Sequence, residues 1–323
     1  MAAADPRRIL MTGSSGFVGG HLLPFLPTSF PGVEVFTDRI DVTDRDAVIE
    51  AVRNARPDAC IHLAATTSVM GAKRDQTRAW RVNLDGTLNL ARAVVAHAPD
   101  CHLLFASSAE IYGRSFQSGR PLDETALLAP MNSYAATKAA ADLALGAMAN
   151  DGLRVVRLRL FNHTGPGQSE AFVVPAFARQ IARIEAGHQS PSLHVGALDS
   201  RRDFLDVRDV GSAYVACLRV APELLPGTIV NIASGVPRRI GDILDELMHI
   251  AGLHAEIVID SARLRGSEIV TASGDAARAR ELLGWTPKTP WTQTLADVLA
   301  DWRKLTANDT GAPTCPPNGA ARN

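Results

Sequence analysis

An apolar run at residues 8–12, RILMT, passes directly into Gly13-Ser14-Ser15-Gly16-Phe17-Val18-Gly19, and a second apolar stretch follows to Phe25. A strand-length run, glycines at three-residue intervals and a helical run together make a strand–turn–helix unit. Glycines at 13, 16 and 19 let the backbone turn sharply and approach a pyrophosphate. The helix N-terminus adds amide donors and a favourable dipole. Such a unit needs parallel strands beside it, so the rest of the chain is expected to alternate strands and helices.

Short apolar runs at 33–37, 58–65, 101–108 and 153–162 read as strands. Helical periodicity covers 45–55, closed by Arg56-Pro57, and 80–98, and an alanine-rich helix carries Tyr134. This alternation predicts an α/β fold: a Rossmann-type doubly wound parallel sheet. After Asn162 the pattern changes to a turn, a helix starting near Phe172 and several short strands, with a further helix over 240–251. We expect residues 1–162 to form mainly the dinucleotide-binding domain. Residues 163–305 should form mainly a smaller C-terminal substrate lobe, with 206–233 returning to the sheet, and 306–323 a flexible tail.

The bulk properties exclude other classes. With 323 residues, 46% of them hydrophobic, the chain can bury a sizeable core. A net charge of −1 gives no electrostatic argument for nucleic acid or an anionic membrane. Cys60, Cys101, Cys217 and Cys315 form no CxxC or Cys/His cluster, so no metal site is expected. The opening MAAADPRRILMTG is too soon interrupted for a signal peptide, and no apolar run is long enough to span a bilayer. A cytoplasmic globular protein is expected.

The cofactor site extends beyond the glycines. Asp38, 19 residues past Gly19 at the end of the second strand, is placed to accept both ribose hydroxyls, which favours NAD(H). Arg39 beside it suits the 2′-phosphate of NADP(H), so the two residues argue opposite ways. Asp41 and Val42 either border the adenine or, in the case of Asp41, cap the next helix. His62 closes the third strand with Leu63, Ala64 and Ala65, whose small side chains let a cofactor pass close; His62 itself is either structural or functional. Asn83 on the following helix either steadies the active-site end by a hydrogen bond or fills a polar position.

Tyr134 and Lys138, four apart at the head of the alanine-rich helix, share one face. A phenol is a poor acid–base group at neutral pH unless a nearby ammonium favours its ionised form, and Lys138 is expected to do so. Ser108, ending the fourth strand, is the natural second donor to a substrate carbonyl. Glu110, two residues on, is a candidate base, a sugar-orienting group or an exposed turn residue. The set points to hydride transfer at a carbonyl.

Together TGSSGFVG, Ser108 and the Tyr134/Lys138 pair resemble the extended short-chain dehydrogenase/reductase family, over about residues 7–303. FNHTGPGQ at 161–168, the stretch 172–187, RRDFLDVRDV at 201–210 and the run 274–287 are similar to its branch acting on GDP-linked 6-deoxyhexoses. The resemblance implies NAD(P)H bound by Gly13 to Gly19, with Ser15, Phe17 and Val18 in that turn. It adds Ser107, Phe161 and His163 as cofactor neighbours, together with Tyr134 and Lys138. It implies a GDP-linked hexose held by Asn162, Val173, Phe177, Arg202 and Arg265, the arginines on its phosphates. Arg202 has an alternative as an ion-pair partner of Asp203 or Asp206, and Val173 and Phe177 as core residues. The glycine motif and the absence of insertions lean toward a 4-ketoreductase; a 4,6-dehydratase with Glu110 as base, or a 4-epimerase, stand as alternatives. A homodimer through the 80–98 and 135–149 helices, paired as four, is also implied.

Overall fold

The computed structural model describes residues 5–67, 69–260 and 269–308. Strand β1 (Arg8–Thr12) is buried from Ile9 onward and feeds the glycine turn. The apolar stretch behind the turn is two short helices, α1 (Phe17–Leu22) and α2 (Phe25–Ser29), because Pro24 cannot continue the ladder of α1. Strand β2 (Glu34–Phe36) follows, then α3 (Arg45–Ala55), which Asp44 caps through the amides of Asp46 and Ala47. Strand β3 (Ala59–His62) leads to α4 (Val69–Arg74) and α5 (Gln76–Trp80). A π-helical turn at Arg81–Asp85 joins α5 to α6 (Gly86–His97), so the helix expected from 80 starts earlier and carries a bulge. Strand β4 (His102–Ser108), helix α7 (Ser133–Asn150) and β5 (Val155–Leu160) complete this half.

The strand expected over 153–162 is in fact two. β6 (Asn162–Thr164) leaves the main sheet and pairs with β8 (Arg201–Asp206). The break falls at Phe161, whose ring is drawn into a small cluster with Tyr112, Phe116 and Ala233. Between β6 and β8 lie α8 (Val173–Glu185) and β7 (Ser192–Val195). Helix α9 (Val207–Val220) and β9 (Thr228–Ile232) then return to the main sheet. β10 (Pro237–Arg239), α10 (Ile240–Ala251), β11 (Glu256–Ile259), β12 (Thr271–Ala272), α11 (Ala277–Leu283) and α12 (Trp291–Asn308) end the described chain. Helix α12 runs through Asn308, so the first residues of the expected tail are helical; those from 309, with Cys315, lie outside the described residues.

The main sheet is fully parallel, in the order β2-β1-β3-β4-β5-β9. One face is packed by α1, α2, α9 and α11, through Leu22, Leu26, Val210 and Leu283. The other is packed by α3, α6 and α7, through Val48, Val52, Leu90 and Leu145. The chain runs from β1 to β2 on one side and to β3 on the other, so a topological switch point opens at the carboxyl ends of β1 and β3. A smaller lobe packs α8, α10 and α12 on β7 and β8 around Phe177, Phe204, Leu244 and Leu295. Its sheet, β10-β8-β12 with β6, stands beside the carboxyl ends of the main sheet.

Candidate active site

The glycine turn sits at the switch point. A Cβ on Gly13 would lie 2.6 Å from the Ala64 amide nitrogen, and one on Gly19 2.5 Å from the Gly13 carbonyl oxygen. Neither neighbour can yield, since both are backbone. A Cβ on Gly16 would meet only the Gly13 oxygen, at 3.2 Å, so the outer side of the turn is bare. A cradle with no side chain in it fits a dinucleotide pyrophosphate. Ser15 is exposed at its apex, and the Ser14 hydroxyl donates to the Thr37 carbonyl, tying the turn to the end of β2. Phe17 stacks parallel on His163 with centroids 6.1 Å apart, so the 161–168 segment closes over the turn from the lobe side. His163 Nδ1 bonds the Phe161 carbonyl, and burial holds the ring below the usual imidazole range. Val18, by contrast, packs into the core, and only its main chain faces the cradle.

Asp38 and Arg39 stand exposed side by side past β2. Asp41 does not cap α3; Asp44 does. Asp41 closes its own turn on the Thr43 hydroxyl and amide, which hold its carboxyl below the usual range, and the charges of Arg81 and Arg78 add to this. Val42 is buried against Gly86, leaving only its main chain for a cofactor.

His62 is structural. Its Nδ1 lies 2.7 Å from the Thr12 hydroxyl and its Nε2 2.9 Å from that of Thr87. Thr87 spends its own proton on the Asn83 carbonyl, so Nε2 is the donor and Nδ1 accepts from Thr12. Burial, then the Lys138 charge, pushes the imidazole down to about 3. Past it, the Leu63 and Ala64 amides donate to Thr12, which fixes this stretch, with Ala65, against the turn. Asn83, inside the π-helical turn, holds Thr66 through both its amide and carbonyl and donates to the Thr137 hydroxyl at 2.9 Å. Thr137 in turn donates to the Tyr134 carbonyl. Asn83 thus ties the loop after β3 to the turn of α7 that bears the phenol.

Asn132 caps helix α7: its side-chain Oδ1 accepts from the Ala135 amide, while its Nδ2 donates to Glu110 Oε2 at 3.4 Å. Within the first turn, Tyr134 shares a hydrogen bond with the Ser108 side chain; Ser108 also accepts from the Glu110 amide. Burial pushes the phenol up to about 12, the Ser108 bond opposing and the Glu110 charge adding. The Lys138 ammonium lies over the Phe105 ring, 4.3 Å from the centroid, and burial brings it down to about 7 against the field of Asp142. Ser107, next to Ser108, points the other way: its hydroxyl donates to Asp142 at 2.6 Å and is not offered to a cofactor.

Asp142 and Asn132 are the two residues that the motifs did not flag. Asp142 is fully buried, accepting from Ser107, Arg157 and Arg159. As the one acid in α7, four residues past Lys138, it was visible as an anomaly in an alanine-rich helix.

On the lobe side, Asn162 is exposed at the start of β6, beside Phe204 in the ladder. Burial holds the Arg202 guanidinium below its ordinary range, and the Glu110 charge opposes this. The Arg202 Nη1 donates to the Arg201 carbonyl at 2.8 Å and the Ile269 carbonyl at 3.3 Å, while Asp203 accepts from Ser234, Gly235 and Gly274 and Asp206 binds Arg208. Phe177 belongs to the lobe core and Phe161 to the cluster with Tyr112, so neither ring is presented to a ligand; Val173 is half-buried at the start of α8. Arg265 lies outside the described residues.

A dinucleotide cradle at the switch point, with a tyrosine and serine joined at its open side, is the arrangement of an NAD(P)-dependent oxidoreductase. The chain belongs to the extended short-chain dehydrogenase/reductase family, whose members act on nucleotide sugars. Residues 30–298 match the family model described as GDP-mannose 4,6 dehydratase. The chain is 39% identical to GDP-6-deoxy-D-mannose reductase of Pseudomonas aeruginosa over 299 residues, covering 92% of this chain and 97% of that protein. It is 29% identical to GDP-6-deoxy-D-talose 4-dehydrogenase of Aggregatibacter actinomycetemcomitans, covering 86% and 91% respectively. The solved structure of RMD from P. aeruginosa complexed with NADPH superimposes with a TM-score of 0.85 at 36% identity, covering 92% of this chain and 99% of that one. Among the described residues no helix is long and apolar enough to cross a membrane.

Proposed function

We propose that this chain reduces the C4 ketone of a GDP-4-keto-6-deoxyhexose with NAD(P)H, forming GDP-6-deoxy-D-mannose, also called GDP-D-rhamnose. The Pseudomonas relative of that name and the solved relative complexed with NADPH support the substrate and cofactor class. The observation that carries the reading is the pairing of Tyr134 with Ser108 at the open side of the cofactor cradle. The phenol is protonated at neutral pH, as phenols ordinarily are, so it has a proton to give to a ketone oxygen that Ser108 holds. Glu110, the base that a dehydration would need, accepts from the Asn132 side-chain amide.

When bound in the cradle, reduced nicotinamide supplies a hydride to the ketone carbon. Ser108 donates to the ketone oxygen and orients it. Tyr134 gives its hydroxyl proton to that oxygen as negative charge develops there. The phenolate left on Tyr134 is then stabilised by the Lys138 ammonium on the same helix face, which regains a counter-charge. Gly13 to Gly19 hold the pyrophosphate, and Asp38 or Arg39 meets the adenine ribose. Asn162 and Arg202 hold the sugar nucleotide, with Arg265 as a further phosphate contact.

The test is turnover of enzymatically generated GDP-4-keto-6-deoxymannose with NADH and with NADPH, followed by NMR of the product sugar. Consumption of reduced cofactor with formation of GDP-D-rhamnose is expected. Production of a 4-keto sugar from GDP-mannose without added reduced cofactor would overturn the reading in favour of the dehydratase.

The reading includes a homodimer. On α7, Ala135, Ala139 and Ala141 pack within the chain, while Ala136, Ala140, Leu143 and Ala147 line its outer face. Exposed Trp80 and Met70 stand on the neighbouring helices α5 and α4. A second copy is the occupant that this face fits. A cytoplasmic location goes with the reading, the three described cysteines being buried free thiols.

A further inference from the structure

Strand β6 is short and, among the described residues, pairs with β8 alone, so its position depends on the turn that follows it. Residues 165–168 form that turn: the Gln168 amide donates to the Gly165 carbonyl at 3.3 Å, with Pro166 and Gly167 between them. Proline in the first central place and a glycine at φ +79° in the second make it type II. The central peptide of such a turn stands across its plane, the Pro166 carbonyl pointing out on one side and the Gly167 amide on the other. Neither group is used by the turn itself, so each needs a partner from outside.

The two partners come from different domains. The Pro166 carbonyl lies 2.8 Å from His21 Nε2, and since a carbonyl can only accept, Nε2 carries the proton. His21 is on α1, the helix that contains Gly19 of the cradle. The Gly167 amide donates to Asp301 Oδ2 at 2.7 Å, and Asp301 is on α12 of the lobe. The turn is also seated closely: a Cβ on Gly165 would lie 2.5 Å from Val207 Cγ1 and 3.7 Å from the Phe17 ring. Phe17 meets the His21 ring edge-on at 5.3 Å as well as stacking on His163. Gln168 Nε2 reaches back to the His163 carbonyl at 2.9 Å, so a shift of the turn is a shift of β6 and of Asn162 on it.

We infer that His21 and Asp301 are positioning residues, clasping the Pro166–Gly167 peptide between the two domains so that β6 presents Asn162 to the sugar nucleotide. To the nucleotide-sugar reading above, on which this rests, it adds two residues that act through the turn and not on the substrate. A cofactor that fills the cradle fixes α1, and α1 carries one jaw of the clasp. Cofactor binding therefore steadies β6 before the sugar nucleotide arrives, and less ordering is left for that second step. The two ligands are thereby coupled, each favouring the other.

The test is hydrogen exchange over residues 164–172 in the full chain and in His21→Ala, each with and without NADPH. NADPH should slow exchange there in the wild type and far less in His21→Ala, with NADPH affinity and melting temperature held. The KM for the 4-keto sugar nucleotide should rise roughly 3- to 10-fold in His21→Ala, the worth of one hydrogen bond, while kcat stays within a few-fold. His21→Gln keeps an N–H donor at similar reach and should restore most of both effects. Asp301→Ala should behave as His21→Ala does, and the double variant should lose little more, since one released jaw already frees the peptide. If His21→Ala does not fold, Asp301→Ala carries the test by the same readouts. Equal slowing by NADPH in wild type and variant, or an unchanged KM, would overturn the inference. A His21→Gln no better than His21→Ala would overturn it too, by assigning the effect to ring packing on Phe17. If exchange responds as expected but no 4-keto sugar is reduced, the reaction assignment fails and the clasp stands.

Discussion

At Tyr134 the chemistry turns on one proton. A protonated phenol can donate to a ketone oxygen at once, whereas an oxidation would need that proton gone first. Tyr134→Phe keeps the ring and its packing but has no proton to give. Its kcat for ketone reduction should fall by about 10²–10⁴-fold, with NADPH affinity, read by fluorescence titration, within a few-fold of wild type. Full activity in this variant would remove Tyr134 as the acid. His62 gives a second residue-scale prediction, this one about stability. Its folded-state pKa of about 3 lies below the ordinary 6.5. Between those values the unfolded chain binds a proton that the folded chain refuses, so stability falls as pH drops through that window. The loss should be on the order of a few kcal/mol by the lower end. His62→Gln should be less stable near neutrality and show a flatter decline on acidification; urea unfolding at about pH 7 and about pH 4.5 makes the comparison. Tyr134, Lys138 and Ser108 were legible because each lies in a local motif whose residue types announce the chemistry. What Lys138 does was not legible, since its desolvation by Phe105 and the opposing field of Asp142 arise only from packing. Val42 and Phe161, read as cofactor neighbours, and Phe177, read as a sugar-nucleotide neighbour or a core residue, pack into cores, because an apolar residue next to a motif carries no sign of which way it points.

At the scale of elements, the site depends on how helix α7 is fastened to the sheet. Asp142 makes that joint: Ser107 on β4 and Arg157 and Arg159 on β5 all donate to it. The same helix carries Tyr134 and Lys138, and β4 ends in Ser108, so the joint sets the spacing of the catalytic groups. Asp142→Asn leaves two guanidiniums facing a neutral amide in the interior. It should cost about 3–5 kcal/mol in urea unfolding, against ~1 kcal/mol for Ser107→Ala, which removes one hydroxyl and leaves the charges paired. Equal, small losses in both would show that the carboxylate is not the fastening. The glycine turn is the other joint. Gly19→Ala forces a methyl to 2.5 Å from the Gly13 oxygen and 2.6 Å from that of Ser14. Overpacking of backbone on backbone costs about 1–3 kcal/mol, and the turn can relieve it only by opening. Cofactor affinity in Gly19→Ala should therefore fall roughly 10- to 100-fold, measured by NADPH fluorescence. Elements with strong periodicity and plain stops, such as α3 between Asp44 and Pro57, could be read from the sequence to within a residue or so. The π-helical turn at 81–85 and the change of sheet at Phe161 could not, because the apolar pattern runs unbroken across both while tertiary contacts decide the backbone.

For the whole molecule, every candidate catalytic and cofactor residue comes from a single chain, yet the helix that carries the phenol shows an apolar stripe on its far side. Leu143 is 59% exposed and Met70 54%, and Trp80 at 39% extends the patch across α5. Alternation of strands and helices was enough to read the parallel sheet; the outer face of α7 was not separable from its inner one, because alanine suits close packing on either side. The structure sorts them: Ala135, Ala139 and Ala141 inward, Ala136, Ala140 and Ala147 outward. Small residues at helical spacing let two such faces approach closely, and Leu143 at the centre would be buried by a two-fold partner. The wild-type chain should therefore sediment at twice its monomer mass. Leu143→Glu places a carboxylate opposite its own copy across the two-fold axis, where neither charge can be compensated. That variant should sediment as a monomer and lose the concentration dependence of its melting temperature. It should keep kcat within a few-fold, since no active-site group is borrowed from the partner. A wild type that sediments as a monomer, or a Leu143→Glu variant that remains dimeric, would move the interface off this face.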